Sequence, residues 1–460
     1  MSTPSRFFHF VPYIVLIFTL ALISYSVRSQ EPPTGDSTER EELFNKMVKE
    51  ADALRNEKRT EQAKAVFTEI MQLWPDRVIG HIGRGIANLD LGRQEEAVAD
   101  FERALKVKPG DIDIHLILGV NLYQLGRCRE AMQHLSAVAD ARPHVSEAMF
   151  VRGVCNLRER RFSNALADFD RVLAIKPLFA DALFLRGSAR MELGHNLEAL
   201  ADISFAIELN GSNTDWFIAR AHLNRRLKYP EKAFNDLSQA ISLQPDNPRL
   251  YRWRAELAEE LEKFGTAISD VKKAVVLDPK YSDAQIALSY YFFRLEDNDG
   301  LIEASEKSIG IDDTEPMAHN NRAYGLILNG DLYEAKKSLA TALELNSKHA
   351  LSINNTALIA FLEGDVEKAL KLVEQVIEID PSIPEAYLNR GYVLRKQGKV
   401  KEAIADFTKA ISLRPWLRRA YDARAEAYDE IGDKEKARSD RQKSEELFEK
   451  ILEWRREVAR

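Results

Sequence analysis

The stretch PEAYLNRGYVLRKQGKVKEAIADFTKAISLRP, residues 384–415, is the clearest copy of a unit that recurs every 34 residues. With Pro384 as position 1, glycine occupies positions 8 and 15, alanine positions 20 and 27, and Pro415 position 32. Counting back from Pro415 in steps of 34 residues reaches Pro381, Ser347, Asp313, Pro279, Pro245, Gly211, Pro177, Pro143, Pro109 and Pro75. The register never slips, so we predict twelve tandem copies after residue 43.

Two positions of the unit carry small residues along the whole chain. Position 20 is alanine in eleven of the twelve copies and Leu301 in the other. Position 8 is always small: Ala51, Gly85, Gly119, Gly153, Gly187, Ala221, Ala255, Ser289, Ala323, Ala357, Gly391 and Ala425. Two helices approach closely only where no bulky side chain separates them, and a larger residue there would overpack the contact. Positions 8 and 20 are therefore predicted to lie where the first helix (A) of each unit meets the second (B).

The predicted helix ends follow the same period. Position 15, where helix A needs a residue able to adopt a left-handed cap conformation, is glycine in seven copies: Gly92, Gly126, Gly194, Gly330, Gly364, Gly398 and Gly432. Proline at position 32 lacks an N–H, so it ends helix B or opens the next helix A. Between these marks the apolar residues follow the helical period and not the strand period. We therefore predict an all-α fold.

The unit resembles the tetratricopeptide repeat (TPR), whose period is 34 residues and whose signature places small residues, Tyr, Phe and Pro at these positions. The resemblance implies an α-solenoid of helix-turn-helix repeats that form a right-handed superhelix and bind protein partners. The predicted repeats span 44–77, 78–111, 112–145, 146–179, 180–213, 214–247, 248–281, 282–315, 316–349, 350–383, 384–417 and 418–449. A final helix over 439–460 is expected to cover the end of the stack through Leu447, Ile451, Leu452 and Trp454.

The first 43 residues differ from the repeats. In residues 1–29, Arg6 precedes an apolar run over 11–27 that suits a cleaved signal peptide or, near the lower length limit, an uncleaved signal anchor. Both alternatives place the repeats outside the cytoplasm, in the periplasm or on the extracellular face, either secreted or tethered to the membrane through residues 11–27. Residues 30–43 are polar and contain proline, so we predict a disordered linker.

Composition and motifs argue against most kinds of chemistry. The net charge is −7 with both signs mixed, whereas nucleic-acid binding needs a basic surface. The sequence contains no Walker A loop, G-x-S-x-G or H-E-x-x-H motif. The nine histidines are scattered, so no metal site is predicted. We therefore expect no cofactor, no nucleic-acid partner and no catalytic activity.

The two cysteines, Cys128 and Cys155, fall in neighbouring predicted repeats. In an exported protein they could form a disulfide. Cys155 lies within a predicted helix, where a cysteine also serves as a small apolar residue. We favour two structural thiols over a disulfide.

Candidate ligand-binding residues lie on the A helices, which line the concave groove of TPR proteins. Position 6 carries asparagine in three successive repeats, similar to the asparagine ladder in the TPR region of O-GlcNAc transferase, where such amides hold a peptide backbone. The predicted peptide-binding residues are Asn320, Asn321, Asn354, Asn355, Asn389, Tyr290, Tyr324, Tyr392, Phe293 and Phe361. The alternative is that these amides bond locally and the aromatic residues belong to the core between repeats.

A second candidate surface combines Phe150 and Phe184 with Arg225 and Arg252, which could accept an acidic tail. The predicted function is a non-catalytic scaffold or adaptor that binds a peptide or protein partner outside the cytoplasm. One alternative is a chaperone-like holder of extended peptides. Another is a regulatory subunit of a membrane-associated enzyme such as a glycosyltransferase.

Overall fold

The computed structural model describes residues 38–459, and these residues form 24 α-helices and no strand. In chain order the helices are α1 Thr38–Asn56, α2 Thr60–Leu73, α3 Val78–Asp90, α4 Gln94–Val107, α5 Ile112–Gln124, α6 Cys128–Ala141, α7 Ser146–Arg158, α8 Phe162–Ile175, α9 Ala180–Glu192, α10 Asn196–Leu209, α11 Thr214–Arg226, α12 Pro230–Leu243, α13 Pro248–Glu260, α14 Phe264–Leu277, α15 Ser282–Arg294, α16 Asn298–Ile311, α17 Pro316–Leu328, α18 Leu332–Leu345, α19 Ala350–Leu362, α20 Val366–Ile379, α21 Pro384–Lys396, α22 Val400–Leu413, α23 Arg418–Glu430 and α24 Lys434–Ala459. The predicted all-α fold of tandem helix pairs is confirmed.

Odd-numbered helices are the A helices and even-numbered helices the B helices. The chain divides into two compact units, residues 1–229 and 230–460, and in each unit a helix packs against the next one along the chain. The first unit contains α1–α11 and the second α12–α24. The predicted signal peptide or anchor lies outside the described residues.

Helix α1 begins at Thr38, inside the segment predicted to be a disordered linker. The prediction is wrong for residues 38–43, and residues 30–37 lie outside the described part of the chain. The side chain of Glu41 pairs with the buried Arg77, whose guanidinium lies 4.1 Å from the centre of the Phe44 ring. Acidic residues also favour the first turn of a helix. These contacts extend the helix beyond the boundary that composition suggested.

The small residues at position 8 lie directly against the side chain at position 24 of helix B. A Cβ on Gly391 would lie 2.3 Å from Cε1 of Phe407, and one on Gly153 would lie 2.8 Å from Phe169. Both phenylalanines are fully buried. The predicted close contact between the A and B helices is therefore present, and glycine makes room for the ring opposite.

Position 15 adopts a left-handed conformation in all twelve repeats. The seven predicted glycines have φ between +75° and +89°. The same conformation is adopted by the non-glycine residues Lys58 (φ +61°), Arg160 (+58°), Lys228 (+64°), Glu262 (+57°) and Glu296 (+51°). The turn geometry is therefore a property of the repeat and persists where glycine is absent.

Replacing Glu262 with glycine is expected to raise the free energy of unfolding of the second unit by about 1 kcal/mol, because left-handed backbone is costly for a residue with a Cβ. The gain is partial, since glycine also adds entropy to the unfolded chain. Urea denaturation followed by circular dichroism measures the change. The matched control is Gly330→Ala, at the same repeat position and φ +86°, which should lower stability. Unchanged stability in both variants would contradict the strain argument.

A buried ion pair links the A and B helices of at least six repeats. An arginine at position 7 donates to an aspartate at position 23, through hydrogen bonds of 2.5–3.1 Å. The pairs are Arg84–Asp100, Arg152–Asp168, Arg186–Asp202, Arg254–Asp270, Arg390–Asp406 and Arg424–Asp440. Each aspartate is 10 % exposed or less, so the pairs fix the spacing of the two helices in a desolvated setting.

Helix α24 is longer than the other helices described, at 26 residues. Leu447 and Ile451, two of the residues predicted to cover the end of the stack, are buried, and Trp454 is half-buried. The predicted terminal helix is therefore present.

Candidate functional site

The five candidate asparagines form two groups of hydrogen bonds between neighbouring A helices. Asn355 Nδ2 donates to Asn320 Oδ1 (2.9 Å), and Asn389 Nδ2 donates to Asn354 Oδ1 (3.0 Å). Asn321 Nδ2 donates to the hydroxyl of Ser289 (2.9 Å). Position 6 of one repeat thus binds position 5 or 8 of the preceding repeat, and the amide donors stabilise the contact between repeats.

The side-chain oxygens of Asn355 and Asn389 take no part in this contact between repeats. Within residues 38–459, no donor bonds to Oδ1 of Asn355 or of Asn389. Both asparagines are buried, with 5 % and 6 % of their surface exposed, and each uses its Nδ2 donor inside the solenoid while its Oδ1 keeps unused acceptor capacity. The local alternative considered from sequence accounts for the Nδ2 groups and leaves the oxygens open.

Two of the candidate aromatic residues stack beside this ladder. The rings of Phe361 and Tyr392 lie 6.1 Å apart at 21°, and Tyr392 also meets Phe407 edge-on at 5.7 Å. Burial raises the pKa of Tyr392, so the neutral phenol persists at neutral pH. Both rings are half-buried. Together with the open amide oxygens, they form a surface with apolar and hydrogen-bonding parts.

The remaining aromatic candidates contact residues from other repeats, two of them far along the chain. Trp416 meets Phe293 edge-on at 6.2 Å, and Arg419 Nη1 donates to the hydroxyl of Tyr324 (2.7 Å). Tyr290 donates to the Glu259 carboxylate (2.7 Å). Sequence reasoning missed Trp416 and Arg419 because they lie about a hundred residues further along the chain.

Family models of the tetratricopeptide repeat match residues 384–417 and, for a second model, residues 48–112, 118–178 and 322–384. The chain contains tetratricopeptide repeats. Proteins built from TPRs are protein-interaction scaffolds and are generally not catalysts. No curated protein matches this chain.

Solved TPR structures resemble the chain at low identity. The crystal structure of the APC/C hetero-tetramer Cut9-Hcn1 is 13% identical with a TM-score of 0.42, covering 95% of this chain and 99% of that one. YrrB, described as a TPR protein with an unusual peptide-binding site, is 24% identical with a TM-score of 0.36, covering 38% and 90%. Yeast Tom70 is 17% identical with a TM-score of 0.35, covering 90% and 99%.

The four residues of the second candidate surface have different surroundings. Phe150 contacts Phe179 at 4.9 Å and Phe184 stacks on Trp216 at 5.5 Å, so both candidate phenylalanines belong to the buried core of the TPR stack. Arg225 is half-buried in the first unit. Arg252 belongs to the second unit and pairs with Glu256 at 3.1 Å. The two phenylalanines therefore form no open wall for a ligand.

The described residues contain a pair of histidines in contact but no metal-binding cluster. No cluster of three or more His, Cys, Asp or Glu residues that could hold a metal ion lies within them. The imidazoles of His115 and His134 do meet, with their Nδ1 atoms 2.9 Å apart. This pair spans the A and B helices of one TPR, and sequence spacing did not reveal it. None of the helices in residues 38–459 combines the length and apolar character of a membrane span.

The two cysteines are buried free thiols whose sulfurs lie 2.6 Å apart. Cys128 is the first residue of α6, and Cys155 lies in α7 of the next TPR. The hydrogen bond from Cys155 lowers the pKa of Cys128 to about 7, and the nearby Arg158 adds to this effect. The pKa of Cys155 is raised in turn. Cys128 is therefore the thiol of the pair that ionises first.

Oxidation of this pair by glutathione disulfide is expected to accelerate as pH rises through about 7, because the thiolate is the attacking form. The Cys128 thiolate attacks glutathione disulfide and releases one glutathione thiolate. The Cys155 sulfur then displaces the second glutathione and gives its proton to water, so the chain loses two hydrogens. Mass spectrometry after alkylation follows the reaction, and Cys155→Ser should stop at the mixed disulfide. A midpoint at the ordinary thiol pKa of about 8.5 would contradict the assignment.

Proposed function

We propose that this chain is a non-catalytic TPR scaffold that binds an extended peptide segment of a partner protein on the A-helix surface of repeats 10 and 11. The observation that carries the proposal is the pair of open amide oxygens, on Asn355 and Asn389, beside the stacked rings of Phe361 and Tyr392. We call these four residues the amide–aromatic surface.

The chemistry of this surface suits a peptide. Amide oxygens accept hydrogen bonds from backbone N–H groups of an extended chain, whatever its side chains. Their spacing follows the repeat, so successive oxygens are presented by successive A helices. Half-buried aromatic rings offer contact area for apolar side chains with little loss of side-chain entropy. The combination favours contact with a backbone over recognition of one side chain.

We further propose that the scaffold acts outside the cytoplasm. The support is the apolar run at residues 11–27, preceded by Arg6 and followed by small residues. N-terminal sequencing of the protein purified from its native cells tests this. A first residue shortly after Ser26 or Ser29 supports export with cleavage. An intact N-terminus in a cytoplasmic fraction would contradict it.

Peptides selected from a random phage-displayed library on the full chain provide the binding test. Such peptides should bind Phe361→Ala/Tyr392→Ala at least about tenfold more weakly, equivalent to a loss of about 1.4 kcal/mol. The matched control is Tyr333→Ala on α18, where the ring is 79 % exposed and lies outside the surface. The control should bind as the wild type does. Equal binding to the wild type and the double variant would refute the assignment of the surface.

A further inference from the structure

The far end of α24 lies on repeats 7 and 8 of the same unit. The ring of Trp454 lies 4.4 Å from that of Phe264 at the start of α14. Arg455 donates from Nε to the carbonyl of Leu295 and from Nη2 to that of Glu296, both at 2.8 Å. About 160 residues separate the partners of these bonds. The end of α24 therefore contacts repeats 7 and 8, which are distant in sequence, in addition to ending the stack.

Arg455 donates hydrogen bonds to backbone carbonyls at the end of α15. Helix α15 ends at Arg294, and the carbonyls at a helix C-terminus have no partner inside the helix. A cation near that end also interacts favourably with the helix dipole. Glu296 adopts the left-handed conformation that ends the helix. The guanidinium of Arg455 thus binds, from outside the repeat, the two backbone carbonyls that follow the end of α15.

The receiving surface also contains an aromatic site that holds a cation. The buried guanidinium of Arg294 lies 4.0 Å from the Phe264 ring and 5.7 Å from the Trp454 ring. The Glu259 carboxylate balances its charge at 3.0 Å. A cavity of about 590 Å³ adjoins Arg455, and its walls include Phe292, Leu295, Glu296, Asp297 and Asn329. The surface therefore offers a cavity and polar side chains beside the α24 residues that occupy it.

The attachment of α24 changes along its length. Leu447 and Ile451 are buried, whereas Arg455 and Arg456 are exposed. The last turns touch repeats 7 and 8 through Trp454, which packs against a core cluster, through Arg455, and through Glu457, which lies against Gly265. Trp454 is the only apolar side chain among residues 453–457, so these turns can leave the surface while the repeat stays folded.

We propose that residues 453–457 are an internal ligand on a docking site for an amphipathic helix that presents tryptophan followed by arginine. A partner helix of that chemistry binds repeats 7 and 8 by displacing the end of α24. This site is distinct from the amide–aromatic surface and has its own partner. A tethered segment competes at an effective concentration on the order of millimolar, so the resident helix weakens binding of any external helix.

The test measures binding of a fluorescent peptide, ELFEKILEWRRE (residues 446–457), to the full-length protein. The wild type is compared with Trp454→Ala/Arg455→Ala, in which the resident helix no longer holds its site. The double variant is expected to bind the peptide at least about tenfold more tightly, because intramolecular competition is removed. Adding Phe264→Ala to the double variant should abolish the gain, and a peptide with alanine in place of Trp and Arg should not bind.

Equal affinity of the wild type and the double variant would overturn the proposal, as would failure of the double variant to bind. Circular dichroism verifies that the variants are folded. Should the double variant be unfolded, Arg455→Gln replaces it with the same expected order of affinities. Hydrogen exchange gives an independent result in the unmodified protein. Amides of residues 453–457 should exchange faster than those of α23, and equal protection of both would contradict displacement.

Discussion

Asp202→Ala is expected to lower the free energy of unfolding of the first unit by about 3–5 kcal/mol, the usual cost of breaking a buried ion pair. Asp202 accepts hydrogen bonds from Arg186 at 2.7 and 2.8 Å and from Arg190 at 2.6 Å. These hydrogen bonds raise the pKa of Arg186. Alanine would leave two guanidinium groups without their main acceptor, in a position where only 6 % of the aspartate side chain is exposed.

Asp170 provides the matched control because it pairs with the same arginine from the surface. Its carboxylate accepts from Arg186 Nη1 at 2.9 Å, but half of its side chain is exposed. Asp170→Ala should therefore cost no more than about 1 kcal/mol. Chemical denaturation, with hydrogen exchange of α9 and α10 to locate the change, compares the two. Equal losses in both variants would contradict the role assigned to the buried pair.

Phe407→Ala is expected to lower the free energy of unfolding of the second unit by about 3–5 kcal/mol, the range measured for removing a buried aromatic ring. The ring is fully buried against Gly391. Tyr333→Ala, at an exposed ring, should change stability by no more than about 0.5 kcal/mol. Urea denaturation of the three proteins decides the comparison, and a small loss for Phe407→Ala would mean that this contact is not central to the repeat.

A double-mutant cycle at positions 8 and 24 tests whether the two residues are energetically coupled. Repeat 9 has Ala323 opposite Leu339, where repeat 11 has Gly391 opposite Phe407. Gly391→Ala should overpack against the ring and cost about 1–3 kcal/mol. Adding Phe407→Leu should recover part of that loss. If the two losses simply add, the residues are not coupled.

The repeat period was sufficient to predict the helix pairs, because each helix meets its neighbours within one or two repeats. Small residues at position 8 and glycines at position 15 carried this prediction, and both are present in the structure with the expected geometry. The arginine–aspartate pairs follow the same period and could have been found by asking which charges recur 16 residues apart. The left-handed conformation of Arg160 and Glu262 follows from their place at position 15 of the repeat, although the residue type alone does not favour it.

The candidate site was predicted in part. The asparagines do lie close to one another, but sequence could not tell that the Nδ2 groups of Asn355 and Asn389 donate to amide oxygens of the preceding repeat while their own oxygens accept no hydrogen bond. The contacts of Trp416, Arg419 and Arg455 with repeats 7–9 were missed altogether. They depend on how small rotations between repeats accumulate over about a hundred residues, and no local pattern encodes that sum.

Photo-crosslinking in the native cell tests the central claim, that a partner binds at the amide–aromatic surface, most directly. Phe361 is replaced with p-benzoylphenylalanine in the full chain, and Tyr333 is replaced in the control. We predict that a partner protein crosslinks from position 361 and not from position 333. Crosslinks from position 333 with none from 361 would contradict the assignment and place the interaction on another face.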